Sequence, residues 1–504
     1  MLCAASCDTR RLPRSRRAGW GWPRVRRLPS SPRRWWAWFP SWAWDGARPP
    51  SSGWAWDPGW GSASGRYGEN NRRRPRAESR LPLASNRKAA PLSHDKRTVR
   101  AWVLYDFANS IYPAVVTTAV FPIFYRGTVV GSEGGVAELW WGWAVAVSAI
   151  IVALTSPLLG AIADRSGARK RFLGFYVVTC LIGVALMMTL EPGMVVAGFL
   201  IFILSNVGFE SANVFYNSYL PDIVPPERLG RTSGYGYGLG YLGSALGLLL
   251  VLPFAREGRM EVVWTIVIAY FAIFSIPAFL FLPKDKRGAM GIGQAARKGL
   301  ADFKRIAAEV WGHSNLRRFL IAFFFYIDGV LTIIVMAAVI AQGTFGFDQQ
   351  QVIILFLIVQ FSALIGAYSL AKPADTIGPK KVLSGVLCLW VAAGVAAYFV
   401  ESPNVFYGLA VAAGFGLGSV QSASRALMAS LIPDGREAEL FGFYALCGRS
   451  SSVLGPLLFG GTTYLAGGNQ RPGFLVLTAL FLIGLILLQR VRDPKAPAAL
   501  EGTT

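Results

Sequence analysis

Five ionisable side chains stand inside mainly apolar runs of this chain: Asp106, Glu210, Asp328, Arg425 and Arg449. An ionisable residue at bilayer depth costs at least about 2.5 to 3.5 kcal/mol on insertion scales, so those retained there tend to face a bundle interior or a water-filled cavity. Three carboxylates and two guanidinium groups in one apolar cavity suit a zwitterion. Arginine takes a carboxylate in bidentate fashion, and an acid takes the amine. A carboxylate that gains and loses a proton there also fits proton coupling.

Amides and a phenol accompany these groups. Asn206, Glu210, Asn213 and Asn217 are spaced four, three and four, which puts them on one helical stripe. A lipid-facing stripe of that kind is untenable, so it is expected to face the cavity. Asp106 and Asn109 share a face with Pro113, Gln421 and Arg425 are one turn apart, and Arg449 sits among Ser450, Ser451 and Ser452. Tyr326 and Asp328 fall about 18 Å into the membrane if their helix begins near Arg317. Structural alternatives exist: asparagines serve as interhelical hydrogen-bond partners worth about 0.6 kcal/mol each, and Arg425 and Arg449 as snorkelling or structurally paired cations.

The elements that must position these residues follow from composition. The chain has 504 residues, 53% hydrophobic and 15% charged, against about 25% charged in soluble domains. That points to an integral membrane protein, and the long apolar stretches described below make it all-α. The net charge of +22 suggests nucleic acid until it is divided: residues 1 to 100 hold 22 Lys and Arg against six acids, leaving 28 against 22 beyond. No nucleic-acid partner is expected. Residues 1–98 form a basic leader with ten tryptophans in phrases such as "RRWWAWFPSWAWDG"; it lacks the apolar run of a signal peptide and is expected to be disordered. The cysteines make no CxxC pair and the two histidines have no ligand-spaced partners, so neither metal nor cofactor is expected.

Stretches long enough to cross a bilayer, which takes about 20 residues, recur from Ala101 on. They lie near 101–125, 139–163, 172–190, 193–219, 231–254, 262–283, 317–343, 350–373, 382–400, 403–430, 440–465 and 472–490. The break at 284–316 has helical soluble character and splits the body into six-span halves, 99–283 and 317–491, with a tail at 492–504. Basic residues crowd one side of the twelve spans: Arg165, Arg169, Lys170 and Arg171, Arg228 and Arg231, nine in 284–318, then Lys372, Lys380, Lys381, Arg436 and Arg490. Arg126, Arg256, Arg259 and Arg471 lie on the other. Lys and Arg in short loops resist translocation, so both termini are expected in the cytoplasm, with the protein in the plasma membrane and its basic loops against lipid.

One phrase is written twice. Ala163 to Lys170 and Ala374 to Lys381 both read Ala-Asp-x-x-Gly-x-basic-basic, 211 residues apart, after spans two and eight. "DIVPPERLGRTSGYG" from Asp222 is echoed by "SLIPDGREAELFGFY" from Ser430, after spans four and ten. Each half is thus a copy of one six-helix unit. Parallel six-helix repeats are the architecture of the major facilitator superfamily, which places its substrate site near the midplane between halves. The repeated phrase is similar to that superfamily's signature loop, which implies a latch joining the cytoplasmic ends of the halves when the cavity faces outward, carried here by Gly160, Asp164, Arg165, Gly167 and Arg169, and by Asp375, Gly378 and Lys380. The second copy departs from the pattern, with Ala371 where Gly160 stands and Thr376 where Arg165 stands, which weakens the latch reading there.

The body resembles one branch more closely, the vacuole-effluxer family of autophagy-linked amino-acid exporters and bacterial members. The phrases that carry the resemblance are "AWVLYDFANSIYPAVVTTAVFPIFY" from Ala101, "VFYNSYLPDIVPPERLGRTSGYGYGLGYLG" from Val214, "YIDGVLTI" from Tyr326 and "QSASRALMASLIPDGREAELFGFY" from Gln421. The resemblance implies export of neutral amino acids or other small polar solutes. In this architecture the first, fourth, seventh and tenth helices line the cavity, which agrees with the polar stripes.

The expectation is a twelve-helix secondary transporter, acting as a monomer, that moves a small-molecule substrate, an amino acid first and a sugar or osmolyte as the alternative, by alternating access with protons as the coupling ion. A non-transporting sensor or scaffold on the same fold is the reading from another class. An enzyme is not expected, since no nucleophile, base and orienting group converge. The glycine runs "GYGYGLGYLGSALG" and "GFGLGS" follow no strand and are read as small residues at helix interfaces, not phosphate loops.

Overall fold

The computed structural model describes residues 95–131, 136–285, 288, 290–452 and 454–492; the leader up to 94 and the tail from 493 lie outside them. Among the described residues every regular element is a helix. Eleven spans are long and apolar enough to cross a bilayer: span 1 (Lys96–Val130), 2 (Val136–Ser166), 3 (Arg169–Thr189), 4 (Val195–Ile223), 5 (Pro226–Arg256), 6 (Met260–Phe281), 7 (Ser314–Phe345), 8 (Gln350–Thr376), 9 (Pro379–Phe399), 10 (Pro403–Leu431) and 12 (Arg471–Gln489). Their outer faces expose Ile150, Leu154, Phe175, Leu280 and Phe399, as a lipid solvent requires of helices whose backbone polar groups are satisfied internally.

Span 11, expected as one helix over 440–465, is two: 11a (Glu437–Ser451) and 11b (Leu454–Leu465). The local chemistry accounts for the break. Ser451 and Ser452 hydroxyls donate back to the carbonyls of Gly448 and Arg449, each at 2.9 Å, a competitor to the backbone ladder. Pro456 has no N–H to offer the Ser452 carbonyl, so the ladder is weakened at this point, and 11b holds Pro456 in its first turn, where the missing donor costs least. Span 1 is also irregular, with π-helical turns at Pro113–Ala119 and Tyr125–Val130. Pro113 and Pro122 withhold the N–H groups a regular ladder needs.

Small residues let the spans meet closely. Gly236, Gly240, Gly243 and Gly247, spaced four, three and four, form the face that span 5 turns to span 1; a Cβ on Gly240 would lie 2.8 Å from the Ser110 hydroxyl and one on Gly243 2.5 Å from the Phe107 carbonyl. The glycine run is therefore an interface, as its setting predicts. Between spans 6 and 7 a helix, Ile292–Gly312, lies against span 2 through Ala295, Gly299 and Ile306. It bonds to both sets of six: Asp302 reaches Arg165 at 3.5 Å, and Glu309 reaches Arg436 at 3.5 Å.

Candidate functional site

Among the described residues Arg425 is the largest charged side chain that is fully buried, and its hydrogen bonds go to residues of the first six spans. Its Nη2 donates to Asp106 Oδ2 at 2.8 Å and to the Ser233 carbonyl at 2.9 Å, Nε donates to Ser233 Oγ at 2.9 Å, and Nη1 donates to Asn217 Oδ1 at 3.2 Å. Aromatic faces enclose it, with the guanidinium carbon 4.1 Å from the centre of Tyr237 and 4.7 Å from that of Trp102. Trp102 is itself fixed by stacking on Tyr216 at 4.6 Å and by its indole N–H donating to the Tyr216 carbonyl. Gly236 makes room for the pair, since a Cβ there would sit 2.7 Å from Arg425 Nη2. Span 10 is thereby tied to spans 1, 4 and 5 by one cation that makes four hydrogen bonds. Neither Arg425 nor Asp106 is open to a solute in this arrangement.

Glu210 and Arg449 form another ion pair between the two sets of six, from span 4 to helix 11a. The Arg449 side chain is 35% exposed against 2% for Arg425, so this pair borders open space. One turn from Glu210, Asn213 accepts from Asn109 at 3.0 Å, and Tyr241 donates to Gln421 at 2.9 Å, joining span 5 to span 10. Glu210 and Arg449 each lie about 18 to 20 Å along their helices from the end of the bundle that carries the repeated loops.

Other expected site residues are placed differently. Asn206 turns to span 2, donating to Ser148 at 2.9 Å, so the asparagine stripe divides between glue and cavity. Tyr326 shares a hydrogen bond of 2.8 Å with Ser424. Glu210 takes Arg449, while Asp328, fully buried, accepts the Gly455 N–H at 2.9 Å where 11b begins. Trp102, Tyr216, Ser233, Tyr237 and Tyr241 were not singled out from sequence. The signal was present for Tyr237 and Tyr241, one turn apart inside the glycine run and on the same span as the glycines that approach span 1.

The repeated loops close one end of the bundle. Asp164 accepts the backbone N–H groups of Ala438 at 3.2 Å and Glu439 at 2.9 Å, so it caps 11a. Arg169 binds Asp164 at 2.7 Å, Asp222 at 2.6 Å, and Glu437. Asp375 does the same to span 5, accepting from Gly230 at 2.7 Å and Arg231 at 3.1 Å. The two capped pairs stand 208 residues apart, as the two echoed phrases do. A carboxylate at a helix N-terminus satisfies orphan donors and the helix dipole together, worth about 0.5 to 2 kcal/mol. Gly167 and Gly378 turn these loops at φ of 65° and 99°, conformations that favour glycine. Close approach is also shared out. Gly160 abuts the Ala438 backbone in the first copy; in the second, where Ala371 replaces it, Gly230 and Gly234 supply the room from span 5. Arg165 reaches the Ile292–Gly312 helix, and Lys380 donates to the Gln489 carbonyl at 3.1 Å rather than across the halves.

Among the described residues, polar bonds between the two sets run from these loops inward to Glu210–Arg449 and Tyr241–Gln421, and none lies beyond. The bundle is closed at the loop end and unbridged at the far end.

The chain matches the family described as "Vacuole effluxer Atg22 like" over residues 143–500. It is similar to the uncharacterized MFS-type transporter YxiO of Bacillus subtilis, 32% identical over 409 residues that cover 78% of this chain and 94% of that one. It is 25% identical to the autophagy-related protein 22 of Coccidioides immitis, covering 71% and 74%. Among solved structures it superposes on the human organic anion transporter MFSD10 with a TM-score of 0.65 at 17% identity, covering 78% of this chain and 99% of that one. A bacterial homologue of the iron transporter ferroportin in an outward-facing state gives 0.60 at 14%, covering 79% and 99%. Two six-helix repeats with a floor of cross-repeat ion pairs and a family match over most of the body lead to one conclusion: the chain belongs to the Atg22-like vacuole effluxer family and is a multi-pass secondary transporter of the major facilitator fold.

Proposed function

We propose that this protein exports amino acids by alternating access, coupled to protons, and that Glu210 and Arg449 receive the substrate. The observation that carries the reading is that this pair joins the two halves and borders the open side. A zwitterion enters such a pair without changing the charge of the site: its carboxylate takes Arg449 and its ammonium takes Glu210. A proton and an ammonium group then compete for one carboxylate, which is the arithmetic of an antiporter. Asn109 with Asn213, and Tyr241 with Gln421, are the polar groups assigned to the remainder of the substrate in this reading. The relatives' names as effluxer and autophagy-related proteins support export.

In this reading the conformation is outward-facing. The cytoplasmic end is held shut by Asp164, Arg169 and Asp375 acting as latches, and by Arg425 held on Asp106 as an inner gate. Rocking the halves breaks those contacts and frees Arg425. The basic loops support a reading in which that end and both termini face the cytoplasm at the plasma membrane, with halves 99–283 and 317–491 joined by 284–316. The test is efflux of radiolabelled neutral amino acids from proteoliposomes with and without a pH gradient, alongside sugars and osmolytes. Accumulation driven by the gradient for amino acids supports the proposal. Movement of sugars alone, or of nothing, overturns it.

A further inference from the structure

Leu154, Leu158 and Ile162 follow one another at one-turn intervals on a single face of span 2, and that face changes company along its length. Leu154 is exposed, as the lipid-facing side chains of the other spans are. Leu158 and Ile162, nearer the loop end, lie under the Ile292–Gly312 helix: a Cβ on Gly299 would come within 3.3 Å of Leu158 and 3.4 Å of Ile162. Leu158 stands about 12 Å along span 2 from its last residue, Ser166. The helix therefore covers a stripe that one turn farther on is left to lipid.

The other faces of this helix are sorted to match. Asp302 and Glu309 turn to the loop end, where they meet Arg165 and Arg436, each at 3.5 Å. At about 100° per residue, the flank on the opposite side of the packing face, directed away from the loops, holds Ala296, Leu300, Phe303, Ala307 and Trp311. Leu300 is 69% exposed and Trp311 54%. Both acids are engaged by arginines, Arg305 of the same helix included, so the outward charge is positive: Arg297, Lys298 and Lys304 are all exposed, with Arg297 and Lys304 on the side turned from span 2. A helix solvated by water has no use for a bare leucine and tryptophan side by side. An apolar flank toward the bilayer with cations at its rim is the pattern of a helix lying in the membrane interface.

We propose that Ile292–Gly312 is an interfacial helix that binds anionic phospholipid, with Leu300 and Trp311 entering the acyl boundary of the leaflet at the loop end and Arg297, Lys298 and Lys304 holding the acidic headgroups. Any leaflet satisfies the apolar flank. The cations are what discriminate, since each Lys or Arg near an acidic surface favours it by about fivefold, an attraction that salt screens. The surface is read from the helix and span 2 alone, so it holds whichever solute the protein carries.

The test uses full-length protein with its native cysteines replaced, reconstituted in vesicles of phosphatidylcholine alone or of phosphatidylcholine and phosphatidylglycerol in equal parts. Single labels go to Leu300→Cys, Trp311→Cys and, as the reference on the charged flank, Ala301→Cys, all at exposed positions. Nitroxides at Leu300→Cys and Trp311→Cys should collide more with oxygen, which concentrates in lipid, than with a water-soluble nickel chelate, and the one at Ala301→Cys should show the reverse. A bimane at Leu300→Cys should be quenched about fivefold more efficiently by brominated phosphatidylglycerol than by brominated phosphatidylcholine at equal mole fraction, and less so as salt rises. The triple variant Arg297→Gln, Lys298→Gln, Lys304→Gln should lose that preference while the oxygen preference at Leu300→Cys persists. Nickel chelate reaching Leu300→Cys and Trp311→Cys as readily as Ala301→Cys overturns the proposal and leaves the face to a soluble protein. Equal quenching by the two lipids, or a preference that survives the triple variant, overturns the headgroup site.

Discussion

Arg425 and Asp106 illustrate a buried pair whose members are worth more together than apart. Removing one partner of such a pair strands a charge and costs about 3 to 5 kcal/mol, whereas removing both is often close to neutral. Asp106→Leu and Arg425→Leu should each lower the thermal midpoint of purified protein, and the double variant should recover most of the loss. Independent, additive losses would show that no pairing energy exists. At the open pair, Arg449→Gln removes one charged hydrogen bond, worth about 1.5 to 3 kcal/mol, so KM for an amino acid should rise roughly tenfold or more while the folded yield is unchanged. That these residues mattered was legible from their charge in apolar runs. Who pairs with whom was not: Asp106 and Arg425 are 319 residues apart, and nothing in local periodicity separates an arginine bonded to Asn217 and Ser233 from one that borders open space. Tyr237 was hidden for another reason. It lies within a glycine run whose packing role is real, so the run was fully explained without it.

Helix ends and crossings decide what the spans can do. The repeated loop was visible as a phrase, and its first copy was read with its partner side unspecified; the structure supplies that partner as the N-terminus of 11a. The second copy looked weak because Ala371 occupies the glycine position. The missing room comes from Gly230 and Gly234 on span 5, a compensation on a different segment that one copy of a motif cannot reveal. Asp375→Ala should therefore open the loop end as Asp164→Ala does, seen as faster labelling of a cysteine placed at Asn217 from the cytoplasmic side. Unchanged labelling in Asp375→Ala alone would confine the latch to the first copy. Gly160→Val drives a side chain into the Ala438 backbone and should give the same opening without touching a charge. The break in span 11 was not foreseen because 440–465 is apolar enough on average to pass for one helix; Pro456 and the two preceding serines were the overlooked signs.

At the scale of the whole molecule, twelve spans and two repeats followed from hydropathy and from two echoed phrases, because a bilayer admits few architectures. Sidedness rests on the basic loops, and a reporter fused after Lys495 should be found in the cytoplasm; an external reporter would invert the gate assigned above. The closed loop end and unbridged far end describe one state of a carrier, and the proposed substrate place is where the last cross-half contact meets open space. The most direct measurement is counterflow of a radiolabelled neutral amino acid in proteoliposomes, comparing the parent with Glu210→Gln, Arg449→Gln and the exchanged pair Glu210→Arg with Arg449→Glu. The account predicts saturable counterflow in the parent, loss in both single variants, and partial return in the exchanged pair, where both charges are again present on opposite halves. Full counterflow in both single variants would contradict it, for the substrate would then be bound elsewhere.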